Sequence, residues 1–505
     1  MLSPLIWLPL IGALVIGLVP NLSAKQAKLG TMAVSGAILL WTIVLMFSFD
    51  LSQSGLQMKE YHTWIPTLGI SYSLAIDGLS LPLLALSSLI TLIVASNGEV
   101  GLKPGETLQR PQLFYSLLLI VNSGVAGAFL AQNLLLFFLF YEIELVPFYL
   151  LILIWGGQKR EYAAMKFLIY TAISGILILA AFLGVAWLSH AASFDYSDIN
   201  TAILPQKVQL ILLTLVLIGF GIKTPIVPLH TWLPDAYVEA STPVAILLGG
   251  ILAKLGTYGL VRFALGMFPE TWELVSPGLS IIAAVSILYG ALSALAQHDI
   301  KRMVAFSSIA HMGYVLLGAA ALTPLAMVGA VSQMIAHGLI LALLFYLVGL
   351  VESKTGTRDR DILNGLLNPI RGLPLTSALL ILAAMASAGI PGLAGFVAEF
   401  LVFQGSFATF PVQTLVAILG TGLTAVYFVI LLNRTCFGKL DNKTAYYPRV
   451  KFAEYVPALV LTALIFWLGI QPTWLVRWSE QTTKALVTAA VPQVEQVAFN
   501  SVDRP

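Results

Sequence analysis

Long continuous runs of apolar residues, separated by short polar stretches, occupy the chain from end to end. A bilayer core about 30 Å thick needs about 20 apolar residues per helix, and that length divides the sequence into fourteen candidate segments. They begin near residues 2, 30, 79, 113, 134, 162, 208, 243, 278, 303, 326, 374, 411 and 455. Because the runs do not alternate, and because lipid tolerates only helices or closed barrels, the pattern predicts an all-α polytopic membrane protein.

The composition agrees with a membrane protein. Of 505 residues, 58% are hydrophobic and only 10% are charged, whereas soluble domains are about 25% charged. A net charge of +2 offers no surface for nucleic acid, and the single Cys436 excludes a disulfide framework or a cysteine-held metal or iron-sulfur site. We therefore predict no cofactor or metal site in this chain. The first segment lacks a basic leading region and is interpreted as a retained span.

The distribution of Lys and Arg predicts the orientation. Of 26 such residues, seventeen follow odd-numbered segments, five lie on the opposite side and four fall inside segments. The positive-inside rule then places the odd-numbered loops in the cytoplasm and both termini on the far side. The longest pieces outside the membrane are residues 49–78 and the tail from 473, where "TWLVRWSEQTTKALV" is typical of an amphipathic helix at the interface.

Two glutamates interrupt segment 5, "LLLFFLFYEIELVPFYLLILIW". A charged side chain at the bilayer centre costs about 2.5 to 3.5 kcal/mol, so an ionisable residue inside a segment is expected to have a functional role. Glu142 and Glu144 are about 200° apart around a helix, so only one of them can face a polar interior. The alternative for either is a neutral, hydrogen-bonded buried carboxyl.

Segment 7 carries Lys223 beside prolines in "GIKTPIVPLHTWLPDA". Pro225 has no N–H for the carbonyl of Gly221, and Pro228 has none for that of Thr224. A broken membrane helix is tolerated where protein or water pairs with such carbonyls. The pattern predicts a hydrated break with Lys223 at its edge. The alternative is a kinked helix whose lysine reaches the cytoplasmic surface.

Five more ionisable residues lie within segments. Lys254 is eleven residues from the start of segment 8 and cannot easily reach either surface, whereas Arg262 and Lys166 lie near segment ends and are predicted to extend to the surface. His311 and His337 occupy the middle of adjacent segments. A single buried histidine is ordinarily packed and hydrogen-bonded, but two at matching depth without a third ligand favour a proton relay over a metal site.

Segment 12 resembles segment 7 in design. Pro391 releases the carbonyl of Ser387, glycines such as Gly389 loosen the same turns, and Glu399 follows two turns later. Segments 7 and 12 are five spans apart and cross the membrane in opposite directions, which is typical of an inverted repeat of segments 4–8 and 9–13. The predicted units are residues 1–112, 113–267, 278–433 and 434–505.

Six ordered motifs carry a resemblance over nearly the whole chain: "YEIELVP", "GIKTPIVPLHTWLPDA", "GGILAKLGTYGLVRF", "KRMVAFSSIAHMGYV", "QMIAHGL" and "GIPGLAGFVAEF". They resemble the antiporter-like proton-translocating subunits of complex I, in the chain 4 branch. "WGGQKREYAAMKFLIYT" resembles the cyanobacterial and plastid NAD(P)H:plastoquinone oxidoreductases. The resemblance implies that Glu142 is the partner of Lys223. It implies a proton path through Glu142, Lys223, Lys254, His311, His337 and Glu399.

The resemblance also implies a translocase subunit that couples electron transfer to proton pumping. NAD(P)H or ferredoxin, iron-sulfur clusters and plastoquinone would be bound by the rest of the complex, since nothing in this chain offers a flavin, nucleotide or cluster site. The implied partners are other membrane subunits, including neighbouring antiporter-like chains, and lipids. The implied location is the cyanobacterial thylakoid membrane, with both termini on the lumenal side.

Two motifs depart from the family pattern. "YEIE" and "DAYVEAST" stand where related chains usually read Trp-Glu-Leu-Glu and Asp-Thr-His, which favours a paralogue of a CO2-uptake complex, with CO2-hydration subunits as partners. Two other functions stay open. One is a subunit of a multisubunit cation/proton antiporter, which Glu399 disfavours because those proteins often carry lysine there. The other is a structural membrane subunit that does not pump.

Overall fold

A computed structural model of the chain describes residues 1–102, 105–440 and 447–490. Three of the positive charges used to predict the orientation lie outside the described residues: Lys103, Lys443 and Arg504. The end of the predicted unit 434–505 also lies outside them.

Helices make up most of the described chain. Those of the first half are α1 (Pro4–Leu18), α2 (Ala24–Ser48), α3 (Ser80–Ser96), α4 (Pro111–Leu130), α5 (Leu134–Ile143), α6 (Leu145–Trp155), α7 (Arg160–Leu188), α8 (Gln206–Lys223), α9 (Trp232–Glu239) and α10 (Thr242–Leu265). Those of the second half are α11 (Pro269–Leu295), α12 (Ile300–Ala320), α13 (Pro324–Thr355), α14 (Pro374–Ser387), α15 (Ala394–Phe407), α16 (Pro411–Thr435), α17 (Phe452–Ile470), α18 (Thr473–Val476) and α19 (Glu480–Ala490).

Eleven helical stretches in the described residues are long and apolar enough to cross a membrane, with α5 and α6 forming one of them. Four shorter apolar helices, α1, α3, α14 and α15, accompany them. The prediction of a polytopic helical membrane protein is confirmed. The largest difference in a predicted start is at α11, which begins at Pro269 rather than near residue 278 because the helix continues through Pro277.

One pair of strands accompanies the helices, in the piece between α2 and α3. Strands β1 (Gln57–Ile65) and β2 (Ile70–Ile76) form an antiparallel hairpin, with Tyr61 opposite Ser73. Gly69 turns the chain with a φ of 67°, a conformation that glycine adopts without strain. The hairpin lies in the predicted extramembrane piece, where water can pair with the open strand edges that lipid would leave unsatisfied.

Burial is very uneven among the helices. In α10, α12 and α13, every residue of the most apolar stretch is buried inside the protein, whereas in α2 only 28% of the residues in that stretch are buried. Because α10, α12 and α13 are enclosed by other helices, polar side chains on them cannot meet lipid and must find partners within the protein.

The C-terminal tail is helical where an amphipathic helix was predicted. Its helix α19 buries one face, with Thr482 and Val487 each 4% exposed. Thr482 accepts a hydrogen bond from the backbone N–H of Gly78 at 3.1 Å. The tail therefore packs on the chain just before α3.

Candidate functional site

The fifth apolar stretch is interrupted at Glu144, the residue between α5 and α6. Pro147 has no N–H to donate to the carbonyl of Ile143, which explains why the helix is interrupted there. Glu144 is completely buried. Its carboxylate forms an ion pair with the ammonium of Lys223, the last residue of α8.

Lys223 has a second partner in Tyr141. Its Nζ lies 3.5 Å from the centroid of the Tyr141 ring and 3.4 Å from the Tyr141 carbonyl oxygen. With only 3% of the residue exposed, the ammonium does not reach the cytoplasmic surface, so that alternative is excluded. The carboxylate of Glu144, the ring and the carbonyl oxygen replace the water that the buried charge has lost.

The predicted break in segment 7 is confirmed, since α8 ends at Lys223 and α9 begins at Trp232. The Gly221 carbonyl, which Pro225 deprives of its helical partner, accepts a hydrogen bond from the N–H of Ile226 at 3.0 Å. The indole N–H of Trp232 donates to the carbonyl of Ile222 at 2.8 Å. The chain itself therefore satisfies two carbonyls at the broken end.

Glu142 occupies a different environment from Glu144. Its half-buried carboxylate lies against Gly175 of α7, where an added Cβ would overlap its Oε1. The two glutamates thus face different helices, as their spacing predicts. Glu142, expected from the resemblance to be the partner of Lys223, interacts with it only at longer range. Direct contact belongs to Glu144, because the interruption at that residue brings its side chain to the end of α8.

Lys254 lies in the middle of α10 and is 1% exposed. The preceding turns, Leu248–Leu252, are π-helical, a distortion often found at functional sites. The Nζ of Lys254 donates to the carbonyl of Gly249 at 2.5 Å and lies 2.9 Å from Nδ1 of His337. The prediction that Lys254 does not reach a surface is confirmed.

The two histidines are neighbours, with ring centroids 5.3 Å apart. His311 Nε2 lies 3.0 Å from the hydroxyl of Ser387, where α14 ends. His311 Nδ1 lies 3.2 Å from Nε2 of Gln333 and 3.4 Å from Oε1 of Glu399. His337 therefore adjoins Lys254, and His311 adjoins Glu399.

Glu399 is buried beside the predicted break of segment 12, between α14 and α15. Gly389, in the break, has a φ of 68°, and its Cβ position lies 2.9 Å from Oε2 of Glu399, so glycine suits both the backbone and the space. Thr421 donates its hydroxyl to the same Oε2 at 2.9 Å and lies 2.9 Å from the hydroxyl of Tyr314.

Four of the six predicted side chains form one series of near neighbours, here called the central row: Lys254, His337, His311 and Glu399. Lys223, Glu142 and Glu144 form a separate charged group. The two sets lie on helices in contact with each other. A Cβ atom added to Gly256 of α10 would lie only 2.6 Å from the backbone N of Thr224, the residue after α8. Hydrogen bonds between described residues do not join the two sets.

Sequence reasoning missed three polar side chains around the central row, namely Gln333, Ser387 and Thr421. One signal was present: Gln333 precedes His337 by four residues, which places both on the same helix face. The roles of Ser387 and Thr421 could not be predicted, because serine and threonine within membrane helices commonly donate hydrogen bonds to their own backbone.

Arg262 has a buried counter-charge. Its guanidinium forms an ion pair with Asp77, just before α3, and the two residues are 6% and 2% exposed. The prediction that Arg262 extends to the surface is therefore wrong. Lys166 forms an ion pair with Asp235 at 2.8 Å, with 20% of its side chain exposed, so it is at most partly open to the surface.

Comparisons with known proteins place these features in a wider group. The sequence model of the family described as NADH:quinone oxidoreductase/Mrp antiporter, transmembrane, matches residues 131–424. NAD(P)H-quinone oxidoreductase chain 4 1 of Synechococcus sp. (strain JA-2-3B'a(2-13)) is 41% identical, over 100% of this chain and 95% of that relative. Chain 4-2 of Synechocystis sp. (strain ATCC 27184 / PCC 6803 / Kazusa) is also 41% identical, over 86% and 78%.

Two solved structures are similar in fold. A chain of respiratory complex I from Thermus thermophilus with bound NADH superposes with a TM-score of 0.88 at 27% identity, covering 97% of this chain and 100% of that one. A chain of the Mrp complex from Dietzia sp. DQ12-45-1b gives a TM-score of 0.87 at 23% identity, covering 96% and 97%. The second likeness concerns the fold alone.

Proposed function

Because this chain belongs to the NADH:quinone oxidoreductase/Mrp antiporter family, and within it to the NAD(P)H-quinone oxidoreductase chain 4 family, we propose that it is the proton-translocating membrane subunit of a complex I-like NAD(P)H-quinone oxidoreductase. Electron transfer takes place in other subunits, which bind NAD(P)H or ferredoxin, iron-sulfur clusters and plastoquinone. This chain contributes the buried ionisable side chains through which protons cross the membrane.

Fourteen crossings fit the helices best. The eleven long stretches are joined by α1, by α3, and by α14 and α15 together as one broken crossing. In this arrangement α8 and α14 each end at a break beside a charged residue, Lys223 and Glu399. This supports two inverted repeats, predicted at residues 113–267 and 278–433. The distribution of Lys and Arg favours both termini on the lumenal side of a thylakoid membrane.

The observation that carries the proposal is the central row. Lys254, His337, His311 and Glu399 lie on four different helices, α10, α13, α12 and α15, and are each at most 4% exposed. Successive members are hydrogen-bonding or ring neighbours. Four ionisable side chains so costly to bury are best explained by proton transfer through the interior.

The charged group around Lys223 would control this row. Burial disfavours an ammonium, whereas adjacent carboxylates favour it. When an electrostatic change from the redox subunits weakens the contact with Glu144 or the field of Glu142, Lys223 releases its proton. The proton then passes through water to Lys254, and from there along His337 and His311 to Glu399.

A further version of the function places the chain in a CO2-uptake complex. The departures "YEIE" and "DAYVEAST" from the usual family pattern favour it. Mass spectrometry of the subunits that co-purify with this chain tests the assignment. CO2-hydration subunits among them would support it, whereas a complex without them that reduces plastoquinone would assign the chain to the respiratory form.

Proton pumping by the purified complex in vesicles tests the main proposal. Vesicle acidification is followed with a pH-sensitive dye during quinone reduction, for the wild type and for Lys223→Ala, Lys254→Ala and Glu142→Gln. We expect acidification to be lost or strongly reduced in all three, because each removes an ionisable group from the path. Lys484→Ala is the matched control, since Lys484 is exposed on α19.

Assembly must be measured alongside pumping. Assembled Lys223→Ala and Lys254→Ala complexes that pump as the wild type does would contradict the proposal and leave a structural role. Acidification that requires sodium ions would instead favour the cation/proton antiporter function.

A further inference from the structure

Gln333 of α13 occupies a position that the proposed path does not use. The residue is 2% exposed, and its amide Nε2 lies 3.2 Å from Nδ1 of His311. The same Nδ1 lies 3.4 Å from Oε1 of Glu399. One nitrogen atom thus has two competing neighbours, an amide and a carboxyl.

The two neighbours require different proton positions on His311. An amide NH2 group only donates, so its contact needs the lone pair of Nδ1 and a proton on Nε2, which then donates to Ser387. Charge pairing with an ionised Glu399 needs the proton on Nδ1 instead. The amide and the Nδ1 proton would then be two donors facing each other, an arrangement that costs free energy.

Rotation of the Gln333 amide by half a turn removes this conflict, because it presents the carbonyl Oε1 to a protonated Nδ1. Oε1 has no hydrogen-bond partner among the described residues, and neither has Nε2 of His337. Both residues line an internal cavity of about 10 Å³, which is room for about one water molecule. The amide is therefore not held in one orientation by other protein groups on its oxygen side.

We propose that Gln333 is a positioning residue whose amide orientation is coupled to the proton on Nδ1 of His311. With its NH2 group towards His311, Gln333 keeps the ring neutral and keeps Nδ1 from donating to Glu399. With its carbonyl towards His311, it stabilises the protonated ring beside Glu399. No bond other than the transferred N–H or O–H changes, and the proton that leaves Nδ1 is taken up by Glu399.

This inference rests on the proposed proton path. Other ionisable groups surround His311 and set the background against which Gln333 acts. His337 on α13, Glu399 on α15 and Tyr314 on α12 itself are its neighbours. Lys254 on α10 adjoins His337, and Tyr427 on α16 interacts with Glu399. Changes at Gln333 should therefore alter the pH dependence of pumping rather than quinone reduction alone.

Two substitutions in the assembled complex test the proposal. Gln333→Met keeps the approximate volume but removes both hydrogen-bonding orientations, and most of the pumping should be lost. Gln333→Glu places a carboxylate beside Nδ1 and stabilises the protonated ring. The pH profile of pumping should therefore move to higher pH, by about one to three units for an adjacent opposite charge.

Gln209→Met is the matched control. Gln209 is also a buried glutamine, 8% exposed, but it donates to the carbonyl of Leu204 and accepts from Thr271, away from the central row. Its pH profile should equal that of the wild type. Wild-type pumping and an unshifted pH profile in both assembled Gln333 variants would overturn the proposal.

The outcome is distinguishable from failure of the proposed function. If Lys223→Ala and Lys254→Ala pump normally, the proton path itself is wrong; if they do not pump while both Gln333 variants do, only the role of Gln333 is wrong. If neither Gln333 variant assembles, the proposal is tested by infrared difference spectra of the wild-type complex with 13C-labelled glutamine. A label-sensitive amide carbonyl band must shift across the pH range of pumping, and its absence would overturn the proposal.

Discussion

The ion pair between Glu144 and Lys223 allows the loss of stability on substitution to be predicted. Glu144→Gln preserves the shape of the side chain but removes its charge, and so leaves the buried Lys223 ammonium without its direct ionic partner. Glu142→Gln removes a charge that is only half-buried and further from Lys223. We therefore expect the first substitution to destabilise the chain much more than the second.

The magnitude follows from the burial of the pair. A unit charge pair at 4 Å is worth about 4 kcal/mol at an effective dielectric constant of about 20, and breaking a buried pair from one side costs about 3–5 kcal/mol. The Tyr141 ring, 3.5 Å from Nζ, remains and limits the loss. An unfolding entropy of about 2.1 cal/mol/K per residue gives a shift of about 1 °C per kcal/mol for a chain of 505 residues, so the unfolding midpoint should fall by roughly 3–5 °C.

Cys436 provides the assay, because it is the single cysteine of the chain and is completely buried. The complex is heated in the presence of a maleimide, and alkylation of the peptide containing Cys436 is quantified by mass spectrometry. The temperature of half-alkylation reports the unfolding of this chain within the complex. The other subunits do not interfere, since the peptide identifies the residue.

The matched control is Glu454→Gln, which removes the same charge from the partly exposed pair with Lys354, where Glu454 is 31% exposed. It should cost about 0–1 kcal/mol. The double variant Glu144→Gln with Lys223→Met removes both buried charges and should recover most of the loss. Equal midpoints for Glu144→Gln and Glu142→Gln, or no recovery in the double variant, would refute the assignment of Glu144 as the direct partner.

Two more predictions concern charges placed by the fold. Asp77→Asn leaves the buried guanidinium of Arg262 unpaired and should cost about 3–5 kcal/mol in the same alkylation assay. Asp77→Asn with Arg262→Met keeps an acceptor for the backbone N–H groups of Leu79 and Ser80 and should restore much of the stability; an equal loss in both variants would argue against the pair. Gly175→Ala should displace the Glu142 carboxylate and remove most of the pumping from an assembled complex, whereas Gly278→Ala, with nothing within 4 Å of its Cβ position, should be silent. Unchanged pumping in Gly175→Ala would show that the position of Glu142 does not matter.

Both broken helices could be predicted from the sequence, because proline acts locally. Pro225 and Pro391 each remove a donor from a helix, and the interruptions follow Lys223 and Ser387 in the structure. The interruption at Glu144 has the same cause in Pro147 but was not predicted. It leaves only one residue outside the two helices, so the apolar run appeared continuous.

The hairpin of β1 and β2 was missed for a different reason. A search for runs of about 20 apolar residues detects what lipid requires, and the hairpin lies outside the longest apolar runs. Its strands are partly exposed and alternate in character, as in "ISYSLAI". Such a pattern is informative only where water is available to the strand edges.

By itself, the sequence determined that the chain crosses a membrane many times, where segments 7 and 12 break, and that Lys223, Lys254 and the two central histidines lie within apolar segments, since bilayer thickness and proline act on local sequence. The tertiary structure decided the partners. Asp77 and Arg262 are 185 residues apart, and Lys254 and His337 are 83 apart. Only the packing of distant helices determines which of two nearby glutamates contacts Lys223, and which histidine adjoins Lys254. Electrostatic and hydrogen-bond energies depend on those distances rather than on spacing along the chain.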